Sequence, residues 1–243
     1  MFQIMRALFF TILIILALPG LNSCEKIKGK GDVVSEIRNI TGFNGLSLAL
    51  SGTIFFTSDS VYYVEVQAQQ NILDVLQIYV EGPAANLVIR FKPGVHVGNH
   101  EPIRIFIAAP DIRQMYISGS GAINVVNPME EPYLETTISG SGTISIIELD
   151  ATEFRATISG SGNIETSTGK VNYQHLLISG SGNINQVGVE SDTTYATISG
   201  SGDISVWVNE LLDVTISGSG NVMYKGQPVI NSHISGSGSI IRI

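Results

Sequence analysis

Acidic side chains are the first residues of this sequence that could do chemistry. Cleaving a glycosidic bond requires a paired acid and base, usually carboxylates clustered on one face of the protein. The acidic residues in question are Asp150, Glu165, Glu190, Asp203, Glu210 and Asp213. They share no single position in the repeated segments of the chain, and the basic residues there are no better aligned. We therefore predict no catalytic residue and a non-enzymatic protein, with a polysaccharide-acting enzyme as the alternative.

Two short patterns could bind a metal ion. His96 and His100 are four residues apart with Glu101 adjacent, which on a helix would suit a metal. The surrounding Pro-Gly-rich segment indicates a loop instead. The segment 199–204, Ser-Gly-Ser-Gly-Asp-Ile, is similar to glycine-rich calcium repeats, but only Asp203 among seven copies is acidic. We predict no metal ligand and no cofactor.

The only cysteine, Cys24, follows a segment typical of an exported bacterial lipoprotein. Arg6 precedes an apolar stretch over 7–18, which is shorter than the about 20 residues of a membrane span. The Leu-Asn-Ser-Cys sequence that follows resembles a lipobox. We predict a signal peptide over 1–23, lipidation of Cys24 and a lipidated tether over 24–31; a stray free thiol is the alternative.

The charge of the chain excludes one class of partner. The formal net charge is −8, and from residue 117 onward the chain has 4 basic and 12 acidic residues. An acidic surface repels phosphate backbones, so we predict no nucleic-acid binding.

A pentapeptide repeat dominates the second half of the sequence. Ile-Ser-Gly-Ser-Gly occurs seven times at spacings of 18 to 21 residues, starting at Ile117, Ile138, Ile158, Ile178, Ile198, Ile216 and Ile234. Each of the last six copies is followed at a fixed place by an aliphatic residue, namely Ile144, Ile164, Ile184, Ile204, Val222 and Ile240. A flexible Gly-Ser linker would not keep such flanking residues, so the repeat indicates a stacked architecture.

Each repeat unit is predicted to be a coil of short strands. Because side chains alternate across a strand, Ile158 and Ile164 face the core while the glycines between them bend the chain. Polar turns are predicted to close the coils at 167–170, 190–193 and 225–228. The fold is therefore an all-β, single-stranded, right-handed parallel β-helix of about seven coils of 18–21 residues over 117–243. A propeller or a sandwich of hairpins is the alternative.

Equivalent side chains must stack in such a helix. The predicted inward ladders are Ile138, Ile158, Ile178, Ile198, Ile216 and Ile234, and Ile144, Ile164, Ile184, Ile204, Val222 and Ile240. The outward position after each pentapeptide holds Ala122, Thr143, Asn163, Asn183, Asp203, Asn221 and Ser239. Stacked Asn side chains can bond along the axis in an amide ladder.

The preceding segment, 32–116, carries no repeat that we detect. Apolar residues two apart predict half-buried strands at 46–50, 61–66, 87–91 and 103–107. A single helical turn is predicted over 71–76, with Asn71 as its cap. This segment is expected to form a β-rich, non-repeating cap.

The repeated Ile-Ser-Gly-Ser-Gly-(Asn/Asp/Thr)-Ile, together with Ile107-Ala-Ala-Pro-Asp-Ile112, resembles the auto-transporter adhesin head GIN domain family. The resemblance covers about 33–243. It implies a β-helical envelope protein, often with a lipoprotein signal, and it carries over no catalytic residues.

These observations together predict an adhesin-like binding module of a Gram-negative cell envelope, lipid-anchored at the outer membrane on its periplasmic or surface side. Its partners would be the membrane, through the lipid, and a glycan or an envelope or host protein. Aromatic side chains that could contact a ligand are Tyr116, Tyr133, Tyr173, Tyr195, Trp207 and Tyr224. A carbohydrate-binding accessory protein and a self-assembling structural protein are the alternatives. The terminal segment 239–243 has no polar cap, so self-association through the last coil is also expected.

Overall fold

The computed structural model describes residues 26–243, so the predicted signal peptide and Cys24 lie outside the described residues. Within that range the chain forms strands and one short helix. In chain order the elements are β1 (Val33–Ile37), β2 (Gly45–Leu48), β3 (Thr53–Ser58), β4 (Tyr63–Gln69), α1 (Gln70–Leu73), β5 (Leu76–Glu81), β6 (Asn86–Phe91), β7 (Arg104–Ala109), β8 (Gln114–Ile117), β9 (Ala122–Val125), β10 (Met129–Ile138), β11 (Thr143–Ile158), β12 (Asn163–Ile178), β13 (Asn183–Gly200), β14 (Asp203–Gly218), β15 (Asn221–Gly226), β16 (Val229–Gly236) and β17 (Ser239–Arg242). No helix within the described range has the length and hydropathy needed to cross a bilayer.

The repeated half is a parallel β-solenoid of about six turns, which confirms the predicted fold class. Seven pentapeptide corners bound six full turns, and each strand pairs in parallel with its equivalent in the next coil. The pairing is in register with the repeat, so Ile138 lies beside Ile158 and Ile158 beside Ile178. The right-handed sense of the coil stays a prediction.

Three faces surround the core of the solenoid. Face A contains residues 114–117, 133–138, 153–158, 173–178, 193–198 and 211–218. Face B follows the corner and contains residues 122–125, 143–146, 163–165, 183–186, 203–206 and 221–224. Face C contains residues 129–131, 148–151, 168–171 and 189–191. Chain direction therefore runs from face A through the glycine corner to face B, and then through face C to the next coil.

The predicted isoleucine ladders fill the core, except in the last coil. Ile158, Ile164 and their equivalents up to Ile216 and Val222 are 0–1% exposed. Ile234 keeps the predicted register beside Ile216 but is 40% exposed, so its predicted burial is wrong. Among the described residues no further coil packs on β16, and a ladder residue is covered only when coils lie on both sides of it.

The glycine corners stack too closely for side chains. A Cβ atom on Gly160 would lie 2.4 Å from the carbonyl oxygen of Gly140, below any ordinary contact. At Gly218 the Cβ would lie 2.2 Å from Gly200 O, and φ is +145°, which disfavours L-residues. Backbone bonds such as Ser161 N–H to Gly140 O, at 2.9 Å, join the corners. The prediction that the glycines of the pentapeptide bend the chain tightly around the core is confirmed.

Two of the three predicted polar turns are strands. Residues 167–170 lie inside β12 and residues 190–193 inside β13, where they form part of face C. The polar side chains of 167–170 face solvent, whereas Ser191 and Thr193 are buried. The backbone of both segments pairs with neighbouring coils, so polar composition alone wrongly suggested turns. The pairing of β13 with β14 shifts between Gln186 and Glu190, near where the repeat shortens. The third turn, 225–228, does contain residues outside strands, between β15 and β16.

Part of the N-terminal segment continues the solenoid. Strands β2 and β3 pair in parallel with β8 and β9, placing Leu48 beside Ile117 and Ile54 beside Ile123. On their other side they pair with β6 and β7. The coil formed by β2 and β3 is thus inserted between two coils that come later in the chain. Antiparallel strands then close this end, with β5 on β6, β4 on β7 and β1 on β4.

The predicted helical turn exists but its cap is different. Helix α1 is capped by Gln69 without a side-chain hydrogen bond, so the prediction of Asn71 as cap is wrong. Asn71 instead holds the N-terminal segment: its amide donates to Lys28 O at 2.7 Å and its Oδ1 accepts from Lys30 N at 2.9 Å. Ile72 is fully buried, as expected.

Candidate functional site

The outer side of face A brings aromatic and charged side chains of successive coils into register. One row of the ladder runs Glu135, Arg155, His175 and Tyr195, and the row before it runs Tyr133, Glu153 and Tyr173. These residues alternate with the inward-facing Leu134, Phe154, Ala156 and Leu176, so strand periodicity holds them outward. The aromatic face is defined here as Tyr133, Glu135, Glu153, Arg155, Tyr173, His175 and Tyr195.

Arg155 organises one end of the aromatic face. Its Nε donates to Glu153 Oε1 at 2.6 Å, and its guanidinium carbon lies 5.9 Å from the centre of the Tyr133 ring. The hydrogen bond from Arg155 to Glu153 raises the pKa of Arg155. Tyr133 donates its hydroxyl to Glu135 Oε2 at 3.2 Å, and its pKa is raised by partial burial first and by the charge of Glu135 second. Arg155 therefore compensates the charge of Glu153, while Glu135 remains as a second carboxylate.

Aromatic surface dominates the other end. The rings of His175 and Tyr195 stack with centres 4.9 Å apart and planes 10° apart. His175 Nε2 lies 3.7 Å from Glu153 Oε1, which links the stack to Arg155. Tyr173 is 49% exposed and Tyr195 is 40% exposed, so much of the aromatic surface is open to a ligand.

Two shallow grooves run along face A. One, of about 240 Å³, is bordered by Glu135, Arg155, His175 and Tyr195, with Thr157 and Thr197 also lining it. The other, of about 270 Å³, lies towards β2 and is lined by residues that include Gln114, Tyr116 and Thr137. Both are lined by Glu135, and Thr137 of one neighbours Thr157 of the other in the ladder, so the two follow one another along the solenoid axis; together they are called here the face A groove.

A larger depression of about 520 Å³ lies where face C turns into face A. Glu130, Asp150, Lys170 and Glu190 occupy one ladder position there. The six acidic residues predicted to be dispersed do not share one position as a set, but Asp150 and Glu190 do, with Lys170 in the same row. Register along face C was hidden because those segments were assigned to turns. Lys170 is the one basic residue among the three acidic ones, so it compensates only part of the negative charge of this row.

Glu131 is the buried carboxyl of this depression. It is 3% exposed, and its Oε1 accepts the backbone N–H of Ile112 at 2.9 Å. Burial raises its pKa, opposed by that hydrogen bond. Asp150 Oδ1 accepts the backbone N–H of Lys170 at 2.8 Å. Glu131 and Asp150 thus each accept a hydrogen bond from the backbone of a neighbouring segment.

The predicted loop histidines do not approach a metal-binding arrangement. A ring nitrogen of His100 lies 2.6 Å from Glu101 O, and the backbone oxygen of His96 accepts from Ile27 N at 2.8 Å. Residues 26–243 contain no group of three or more His, Cys, Asp or Glu side chains that could hold an ion.

The predicted amide ladder forms on face B. Asn183 Nδ2 donates to Asn163 Oδ1 at 3.1 Å, and Asn221 Nδ2 donates to Asp203 Oδ1 at 3.0 Å. Asp203 is therefore a member of the ladder, and its Oδ1 also accepts the backbone N–H of Asn221 at 2.8 Å. Face B is consequently a row of mutually bonded polar side chains.

The predicted aromatic residues divide between surfaces. Tyr116, Tyr133, Tyr173 and Tyr195 lie on face A, whereas Trp207 lies elsewhere, with Lys225 Nζ 3.5 Å from the centre of its ring. Tyr224 packs against the core. Sequence reasoning missed the roles of Arg155 and His175. The signal was available, because Glu135, Arg155, His175 and Tyr195 each precede a ladder isoleucine by three residues.

Comparison with known families agrees with this architecture. The model of the family described as "Putative auto-transporter adhesin, head GIN domain" matches residues 42–228, which is most of the chain. The chain belongs to this head GIN domain family. No curated protein matches the sequence.

Solved structures show the same fold. A structure described as a putative adhesin from Bacteroides fragilis is 22% identical, with a TM-score of 0.81, and the match covers 89% of this chain and 100% of that one. One described as a putative adhesin from Parabacteroides distasonis is 21% identical with a TM-score of 0.74, covering 90% and 100%. Another from the same species, described as a putative lipid binding protein, is 24% identical with a TM-score of 0.75, covering 90% and 100%. At these identities the likeness shows the fold alone.

Proposed function

We propose that this head GIN domain protein is a non-enzymatic, adhesin-like lipoprotein of the Gram-negative cell envelope that binds its partner through face A. The observation that carries the proposal is the aromatic face, where exposed rings and the Arg155–Glu153 ion pair lie beside a groove on a rigid scaffold. Such a combination of aromatic surface and a few fixed polar groups is typical of ligand sites. Face B lacks it, since its polar side chains bond to one another.

The proposed attachment is a lipid on Cys24, at the outer membrane. Its support is the lipobox-like sequence and the cysteine's position after an apolar segment. Labelling cells with radioactive palmitate should label the wild-type chain and not Cys24→Ala. Protease treatment of intact cells distinguishes surface exposure from a periplasmic location, because only a surface protein is digested. A Cys24→Ala chain that still carries palmitate would refute the anchor.

The binding role is tested with the mature protein, residues 24–243, labelled with a fluorophore. It is applied to fixed host cells and to isolated bacterial envelopes, next to the double variant Arg155→Ala/Tyr195→Ala. The control Glu165→Ala changes an exposed residue of face B. We expect retention on at least one surface, a loss of about tenfold or more in the double variant, and no change in the control. Equal retention of all three proteins would contradict a binding role for face A.

A polysaccharide-acting enzyme is the second candidate, favoured by the 520 Å³ depression with Glu130, Glu131 and Asp150. A buried carboxyl with a raised pKa suits a general acid. The bonds of Glu131 to Ile112 and of Asp150 to Lys170 favour a structural role instead. Release of reducing ends from a polysaccharide by the wild type, abolished in Glu131→Gln, would establish the enzyme.

A further inference from the structure

We infer that the face A groove binds one strand of an uncharged, hydroxyl-rich polysaccharide lying parallel to the solenoid axis. The inference rests on the proposed function, because it names the ligand class of the same surface.

The length of the groove indicates a linear polymer. Its lining includes one ladder row, which runs Tyr116, Thr137, Thr157, Leu177 and Thr197. Neighbouring strands are about 4.8 Å apart, so these four steps span about 19 Å. A compact small molecule would occupy only part of such a path, whereas an extended chain can follow it from Tyr116 to Tyr195.

The side chains of the groove match a sugar chain. Exposed rings, here Tyr116 at one end and the His175–Tyr195 stack at the other, offer flat apolar surface for the C–H faces of sugar rings. Between them, Glu135 provides acceptors, Arg155 provides donors and the threonine hydroxyls provide both. Alternating donors and acceptors suit hydroxyl groups, which both donate and accept hydrogen bonds.

The charge distribution favours a neutral polymer. Arg155 is paired with Glu153, and Glu135 remains as a second carboxylate along the groove. The repeat half has 12 acidic residues against 4 basic ones, which repels acidic polysaccharides at longer range. A protein partner would need a larger, well-packed patch, but the two depressions are shallow and measure only about 240 and 270 Å³.

The experiment is affinity electrophoresis of the mature protein in native gels that contain galactomannan, dextran, mixed-linkage β-glucan or, as the charged comparison, polygalacturonate. We expect at least one neutral polysaccharide to retard the wild type. Tyr195→Ala should weaken that retardation by about tenfold or more, and Glu165→Ala on face B should leave it unchanged. Thr157→Arg provides a second test, because it fills the groove without removing a ring; it should also abolish retardation. Thermal melting checks that every variant is folded.

Other outcomes separate the two levels of the proposal. Retardation by polygalacturonate alone, by no neutral polysaccharide, or equally in all folded variants would overturn the polysaccharide inference. If the wild type still binds cells or envelopes through face A, and protease treatment of those surfaces removes the binding, the partner is a protein. The proposed function then stands while the polysaccharide inference fails. If the wild type binds neither a polysaccharide nor cells or envelopes, the polysaccharide inference and the proposed function are both refuted.

Discussion

Replacing Gln186 with methionine should stabilise the solenoid, because this glutamine is buried without hydrogen bonds. Gln174 and Gln186 point into the core from faces A and B of one coil and are 0% exposed. Neither amide oxygen nor amide nitrogen of either residue has a partner. Thr166 Oγ1, on the preceding coil, is likewise unpaired. The side-chain amides of Gln174 and Gln186 are therefore removed from solvent and also lack hydrogen-bond partners.

The magnitude follows from the cost of an unpaired buried group, about 1–3 kcal/mol each. Methionine has nearly the same length and no strong polar atom, so Gln186→Met should raise the free energy of unfolding by about 2 kcal/mol. For a chain of this size that corresponds to about 4–8 °C in Tm. Gln174→Met should act in the same direction, and the double variant can depart from additivity because both residues belong to one coil.

The assay is equilibrium urea denaturation of the mature protein, supported by thermal melting. Gln227→Met is the matched control, since Gln227 is exposed and should change stability by less than about 0.5 kcal/mol. A decrease in the free energy of unfolding for Gln186→Met, with the control unchanged, would refute the reasoning. It would mean that the glutamine amide is satisfied in the native protein.

Three further predictions concern the corners, the antiparallel cap and the last coil. Gly160→Ala should destabilise by about 2–4 kcal/mol in urea denaturation, against little change for Ser159→Ala, because its Cβ would meet a neighbouring carbonyl. Hydrogen bonds from Ser35, Tyr63 and Gln67 lower the Glu65 pKa to about 2. The stabilisation by the Glu65 carboxylate is complete above pH 4.5, the ordinary pKa of this group, and is lost as the pH falls towards about 2. Glu65→Gln should therefore flatten the pH dependence of the urea midpoint over this range. Strand β16 is exposed along its length, so sedimentation velocity should show concentration-dependent association that Ile234→Lys reduces and Ile147→Lys does not.

The repeat made the solenoid predictable from sequence. Identical residues at equal spacing can pair in register only if the coils stack, so the ladders, the corners and the amide ladder of face B followed directly. The coil of β2 and β3 was missed because its corner, Leu50-Ser51-Gly52, keeps only one of the two glycines. Its insertion between later coils also depends on long-range pairing that no local pattern encodes.

The candidate site was only partly predictable, for a different reason. The exposed tyrosines of face A were identified, but residue type alone could not show which other side chains share their surface. Register supplies that information: Arg155 and His175 join the row because each lies three residues before a ladder isoleucine. Face C was misassigned because polar residues on an outward strand resemble a turn, and this concealed the row of Asp150 and Lys170.

Radical footprinting of the mature protein, while it is bound to the surface that retains it, tests the central claim most directly. Binding through face A predicts that Tyr173 and Tyr195 become protected from oxidation, since both are exposed in the free protein. Trp207, which lies outside the aromatic face, provides the internal reference and should be oxidised equally in both states. Unchanged oxidation of the two tyrosines in the bound protein would contradict the assignment of face A as the binding surface.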